Sequence, residues 1–120
     1  MSDVRMTVED GVAVLTLDAP PTNTLDAPLC TALAEALEKA LGDDLVHAVI
    51  LAAEGPEFST GTAPGWDGAG LRRLVARIGA AGKPVIAALH GRAEGDGLEL
   101  ALAAHYRTAT QGVRPAGPGI

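Results

Sequence analysis

Apolar and polar positions alternate in two short runs at the start of the chain. Arg5-Met6-Thr7-Val8 and Val12-Ala13-Val14-Leu15-Thr16-Leu17 flank Glu9-Asp10-Gly11, and Asp-Gly between such runs predicts a β-hairpin. Asp18-Ala19-Pro20-Pro21-Thr22-Asn23 follows as a loop that its prolines keep out of a helix. Leu29, Leu33, Leu37 and Leu41 then recur every four residues, which predicts a helix with Asp26 as its cap and Gly42 as its stop. Val46 to Ala52 is an apolar run of strand length, broken by His47 alone, and suggests a buried strand following a helix. A glycine-rich loop over 53–70 leads to helical spacing over 71–78, a buried strand over 84–89, a helix over 97–104 and a short strand over 106–109. Helices alternating with apolar strands argue for an α/β fold with largely parallel pairing. In 111–120 half the residues are Gly or Pro, so residues 1–110 are expected to form one domain and 111–120 an irregular tail without a packed element.

Composition narrows the function classes. Apolar residues make up 48% and charged residues 20%, the balance of a globular rather than a disordered chain. With one Phe, one Trp and one Tyr, the core must be built from Ala, Leu, Val and Ile. A formal charge of -6 argues against nucleic acid as a partner, since a phosphate-binding surface needs a basic excess. No apolar run approaches the ~20 residues that span a bilayer, and the N-terminus shows no secretory pattern, so a cytoplasmic location without membrane contact is expected. A single cysteine, Cys30, fits a reducing compartment, and its place beside Leu29 and Leu33 makes it a small core residue. His47, His90 and His105 lie on different elements without metal-ligand spacing and are expected to be hydrogen-bonded or exposed. Arg72, Arg73 and Arg77 form a solvated helix face, with attraction of ligand phosphates as a lesser alternative, and Trp66 reads as a loop anchor.

The chemistry concentrates in Lys83 to Ala103. The run Lys83-Pro84-Val85-Ile86-Ala87-Ala88-Leu89-His90-Gly91-Arg92-Ala93-Glu94-Gly95-Asp96-Gly97-Leu98-Glu99 takes an apolar strand through a glycine-rich turn into a helix with carboxylates in its first turn. Glycines allow backbone N–H groups to approach an acyl oxygen, and a helix N-terminus favours developing negative charge. The spacing is not that of a dinucleotide-binding loop, and no Gly-Lys-Ser/Thr follows. Asp96-Gly97-Leu98-Glu99 also fits a capping box, with Asp96 as N-cap and Glu99 as its reciprocal partner.

This block, together with Val12 to Asn23 and with Val49-Ile50-Leu51 followed by Glu57-Phe58-Ser59-Thr60-Gly61, resembles the crotonase (enoyl-CoA hydratase/isomerase) superfamily. The His90 variant and the run from Leu98 to Arg107 are most similar to the hydratase part of bifunctional fatty-acid oxidation enzymes. The resemblance implies a ββα spiral, present as its N-terminal portion, because such domains are about twice this length. It implies an acyl-CoA thioester as substrate, hydration of a trans-2-enoyl-CoA as reaction, and no metal or redox cofactor, CoA being part of the substrate. Carried over residue by residue, the oxyanion-hole amides match the backbone N–H groups of Thr62 and Asp96, and the first catalytic glutamate matches Glu99. The substrate-binding positions match Thr60, Gly61, Ala63, Pro64, Gly95 and Gly97.

Three departures lower the expected activity. Thr62-Ala63 stand where the family has Ala-Asp, and Asp96 replaces the central glycine of its triplet. A carboxylate ~5 Å from a developing enolate costs about 3 kcal/mol at an effective dielectric of ~20, roughly a hundredfold in rate. The family's second glutamate falls at Gly119, which has no acid or base. A truncated gene product with impaired hydration is therefore expected. The alternatives are a non-catalytic acyl-CoA-binding or interaction module and a fragment without function. Strand edges and apolar helix faces left uncovered lead to the expectation of a homo-oligomer or other self-association.

Overall fold

The computed structural model describes residues 3–61, 68–110 and 114–116. Strands β1 (Val4–Glu9) and β2 (Val12–Leu17) form the expected antiparallel hairpin, with Glu9 opposite Val12. Asp10 and Gly11 turn it with φ of 52° and 81°, the left-handed pair that a two-residue type I′ loop requires. Helix α1 (Ala27–Gly42) starts at Asp26, whose carboxylate accepts the Leu29 N–H at 2.9 Å. It runs through Gly42, and Asp43 is its C-cap. Strand β3 (Ala48–Ala53) begins two residues after Val46, which is itself buried.

Helix α2 (Ala69–Gly79) starts before Leu71, at a left-handed Gly68. Strand β4 (Val85–Leu89), strand β5 (Arg92–Glu94), helix α3 (Asp96–Ala103), strand β6 (Tyr106–Ala109) and strand β7 (Arg114–Ala116) complete the described chain. The main sheet has the order β1-β2-β3-β4-β6, and every pair after the hairpin is parallel. This is the α/β architecture read from the alternation of strands and helices.

One face of the sheet is covered by helices. Ala13, Leu15 and Leu17 of β2, Val49 and Leu51 of β3, and Val85, Ala87 and Leu89 of β4 are buried with Leu29, Leu33 and Leu37 of α1 and Leu71, Leu74 and Ile78 of α2 in a single core. The opposite face carries Val12, Val14, Ile50 and Ile86, all only partly buried. Two basic side chains close helix ends. Lys83 Nζ donates to the carbonyls of Ala40 and Asp43 at 3.0 and 2.8 Å, and Arg107 Nη1 donates to that of Ala104 at 2.9 Å. Among the described residues no helix is long and apolar enough to cross a membrane.

Two expectations need correction. The stretch 111–120 does contain an element: β7 pairs in parallel with β5, Arg92 opposite Arg114 and Glu94 opposite Ala116. Pro115 lies in that strand, which a two-stranded sheet tolerates because an edge position need not donate an N–H. The capping box does not form. The N-cap is Gly95, with φ 55° and ψ -122°, and no side chain caps α3. Only glycine adopts that backbone readily, so the helix starts one residue early and Asp96 becomes its first residue.

Cys30 is 2% exposed within α1. Burial, and then the negative charges of Asp26 and Asp96, push its thiol up from 9.0 to about 11. The folded chain holds this proton more tightly than the unfolded one. The corresponding stability is complete below the unfolded value of 9.0 and is lost as pH rises towards about 11. Urea denaturation followed from pH 8 to pH 11 is expected to show this loss in the parent chain and a flatter profile in Cys30→Ala.

Candidate active site

Strands β2, β3 and β4 lie side by side and parallel, so the loops leaving their carboxyl ends meet at one edge of the sheet. In open parallel sheets this is where ligands bind. The loops are 18–26, 54–61 and 90–95, and each ties to another through backbone groups.

The 90–95 loop lies directly against the 54–61 loop. A Cβ built on Gly91, whose φ is +60°, would stand 1.9 Å from the Pro56 carbonyl oxygen, so glycine is required there. His90 Nε2 bonds the Gly55 carbonyl at 2.8 Å. The amides of Phe58 and Ser59 both donate to the Arg92 carbonyl, at 2.9 and 3.2 Å, and the Glu94 amide donates to Ser59 at 3.1 Å. Sequence reading passed over β5. Its signal is weak, a single buried Ala93 between Arg92 and Glu94. Gly97, in the first turn of α3, also packs directly on the 54–61 loop. A Cβ there would be 2.2 Å from the Ser59 carbonyl oxygen and 2.6 Å from Ser59 Cβ.

The 18–26 loop holds the same segment from the other side. Asn23 is fully buried with a left-handed φ of 51°, a conformation asparagine tolerates better than most residues. Its Nδ2 donates to the carbonyls of Glu54 and Glu57 at 2.9 and 3.0 Å, and its Oδ1 accepts the Ala19 N–H at 2.8 Å. Its own carbonyl accepts the Ser59 hydroxyl at 2.7 Å. Thr60 is bonded at both ends: its amide donates to Thr22 at 2.8 Å, and its carbonyl accepts the Thr24 hydroxyl at 2.9 Å. Asn23, Thr24 and Ser59 were not among the residues singled out from sequence. Their side chains bond backbone atoms 31 to 36 residues away, and no local pattern encodes that.

The expected site residues fall as follows. Thr60 and Gly61 lie on the 54–61 loop, and Gly95, Asp96, Gly97 and Glu99 lie at the start of α3; the contact of Gly97 with Ser59 brings the two groups together. Thr62, Ala63, Pro64 and Trp66, and the tail position Gly119, are outside the described residues. The amides of Asp96, Gly97 and Leu98 have no acceptor within the helix, whereas that of Glu99 donates to Gly95 at 3.0 Å. Asp96 is half-exposed and Glu99 exposed, on one face of the helix at a spacing of three. Such a helix start can hold an acyl oxygen on backbone donors with a carboxylate one turn away.

The histidines are engaged or exposed. His90 is bonded as above, His105 Nδ1 accepts the Val85 N–H at 3.0 Å, and His47 is exposed. Among the described residues no cluster of three or more His, Cys, Asp or Glu could hold a metal ion. On the arginine face, Arg77 pairs with Glu38 at 2.6 Å, an exposed ion pair that holds the Glu38 carboxyl below its usual range. A groove of about 640 Å³ runs between α1 and α2, with Cys30, Ala34, Gly70 and Leu74 among its lining residues.

The comparisons with known proteins agree with this architecture. The profile of the enoyl-CoA hydratase/isomerase family matches residues 7–114. A Bacillus subtilis protein named probable enoyl-CoA hydratase is 36% identical over 123 residues, covering 92% of this chain and 48% of that protein. A peroxisomal bifunctional enzyme of Danio rerio is 40% identical over 107 residues, covering 85% of this chain and 15% of that protein. Among solved structures, an enoyl-CoA hydratase from Mycobacterium avium subsp. paratuberculosis superposes with a TM-score of 0.88 at 32% identity, over 97% of this chain and 48% of that one. One from Thermoplasma volcanium gives 0.89 at 26% identity, over 100% and 54%. The chain thus spans about half the length of the Bacillus subtilis relative and of these two solved structures, and 15% of the bifunctional enzyme. On its sequence and on its fold alike, the chain belongs to the enoyl-CoA hydratase/isomerase family, with a crotonase-like α/β architecture.

Proposed function

We propose that this chain binds an acyl-CoA thioester between the Thr60–Gly61 loop and the first turn of α3, and that its chemistry is slow hydration of a trans-2-enoyl-CoA. The observation that carries the reading is the approach of Gly97 to Ser59, which sets the first-turn amides of α3, without acceptors inside the helix, beside the segment that ends at Thr60–Gly61. In this reading the amides of Asp96 and Thr62 hold the thioester oxygen as negative charge builds on it, so no metal or redox group is needed. Gly61, Ala63, Pro64 and Gly95 border the CoA arm. Water adds its oxygen to Cβ while its proton passes to Glu99, and the resulting enolate takes a proton at Cα.

Two sequence differences support slow rather than efficient turnover. Gly119 offers no second acid or base, so Glu99 must accept the proton and then return it, and losing one such group typically costs ~10²–10⁴ in rate. Asp96 places a second carboxylate on the face of the helix that carries Glu99. Those same differences favour one alternative, thioester binding without turnover.

A second part of the proposal concerns assembly. Self-association into a homo-oligomer is supported by the partly exposed apolar face of the sheet and by β6, whose four residues are exposed. Sedimentation at micromolar concentration is expected to show a species larger than one chain, and a single sharp monomer boundary would contradict it.

Thermal melting with and without saturating acetoacetyl-CoA tests the site. A cooperative transition is expected to move up, since a ligand at ~100 times its Kd stabilises by about 2.7 kcal/mol. Glu99→Gln is expected to keep that upward shift and to lose hydration by ~10²-fold or more. A melt unmoved by the thioester would contradict the binding reading. Binding with no turnover in the parent chain, unchanged by Glu99→Gln, would leave the non-catalytic alternative standing in place of the hydratase.

A further inference from the structure

We propose that Thr24 is a positioning residue for the thioester site, acting on the peptide between Thr60 and Gly61 through its hydroxyl. This deepens the reading above and rests on it. Thr24 Oγ1 donates to the Thr60 carbonyl at 2.9 Å and lies 2.9 Å from Thr22 Oγ1. The Thr24 proton is committed to the Thr60 carbonyl, so the Thr22 hydroxyl donates to Thr24, and three groups form one chain from Thr22 to Thr24 to the carbonyl. The Thr60 amide is held at the same time by the Thr22 carbonyl at 2.8 Å. Residue 60 is thereby fixed at both of its peptide groups by the 22–24 segment.

Gly61 follows immediately, and its freedom is limited by the same side chain. Its φ is +84°, and a Cβ built there would meet Thr24 Oγ1 at 2.9 Å. A glycine at positive φ is the most deformable link in a loop unless its neighbours define it. Here the preceding peptide is locked by the threonine hydroxyl, and the threonine side chain backs the glycine itself. Asn23, the adjacent residue, anchors the other end of the loop through the Glu54 and Glu57 carbonyls. Thr24 therefore fixes the Thr60–Gly61 link that precedes the oxyanion donor of the proposed function, and it is not among the groups which that reading places on the thioester. A misdirected donor weakens its hold on a developing oxyanion far more than it weakens binding of the remainder of a large ligand.

The test uses Thr24→Val, which keeps the shape and removes the hydroxyl, and Thr24→Ser, which keeps the hydroxyl. The probe is dimethylaminocinnamoyl-CoA, a thioester whose absorption moves to longer wavelength when its carbonyl is polarised. At saturating probe, Thr24→Val is expected to lose more than half of the wavelength shift seen in the parent chain, and Thr24→Ser to retain it. In the ligand-free chain, exchange of the Thr60 amide hydrogen is expected to be at least fivefold faster in Thr24→Val, with the Leu15 and Leu51 amides of the core unchanged. A full wavelength shift in Thr24→Val, or unchanged exchange at Thr60, would overturn the proposal. A parent chain that produces no wavelength shift would overturn the thioester reading instead. The exchange measurement would then still decide the clamp, faster exchange at Thr60 supporting it and unchanged exchange overturning it.

Discussion

The structure of the site depends on one backbone contact, that of Gly97 against Ser59. Not even a methyl group fits between them, since the nearest atom would lie 2.2 Å from an added Cβ. A contact this close between a helix start and a loop cannot be made across side chains, and it seats the first turn of α3 directly on the loop backbone. The remaining architecture serves to hold those two segments at that distance. Parallel pairing of β3 with β4 brings their carboxyl-end loops together, the Arg92 and Ser59 hydrogen bonds lace those loops, and Phe58 is fully buried beneath them.

Asn23 is the counterpart of this contact on the opposite side. It satisfies two carbonyls and an amide with one buried side chain, and its removal would leave those groups without partners at about 1–3 kcal/mol each. A loop after β2 thus determines the shape of a loop after β3, and the latter receives the start of α3. The chain order of the three loops follows the spatial order of the strands that carry them. This explains how a site assembled from segments some 40 residues apart in sequence, from Asn23 to Ser59 and on to Gly97, forms a continuous surface.

Much of this fold was legible in the residues. The Asp10-Gly11 turn, the leucine period of α1, and the buried strands at Val49–Leu51 and Val85–Leu89 carry local signals strong enough to place them. Element starts were less legible where glycine decides them. Gly68 and Gly95 adopt positive φ and begin their helices before the apolar period announces them, which is why the capping reading of Asp96 and Glu99 does not hold. The short pair of β5 with β7 escaped because a three-residue strand containing Pro115 has no periodicity to detect. In the candidate site, Thr60, Gly61, Gly95, Gly97 and Glu99 were carried over by resemblance, and the fold brings their two segments together. The clamps by Asn23 and Thr24 could not be read from the sequence, because each joins a side chain to a distant backbone carbonyl.

The most direct measurement is the affinity of Gly97→Ala for acetoacetyl-CoA by titration calorimetry, with Gly82→Ala as control because nothing lies within 4 Å of a Cβ there. The added methyl must push α3 away from Ser59. Thioester affinity is expected to fall by on the order of a hundredfold or more in Gly97→Ala, the scale of losing well-oriented donors, in a chain that circular dichroism still shows to be folded. Gly82→Ala is expected to bind like the parent. Parent-like affinity in a folded Gly97→Ala would contradict the dependence of the site on this contact.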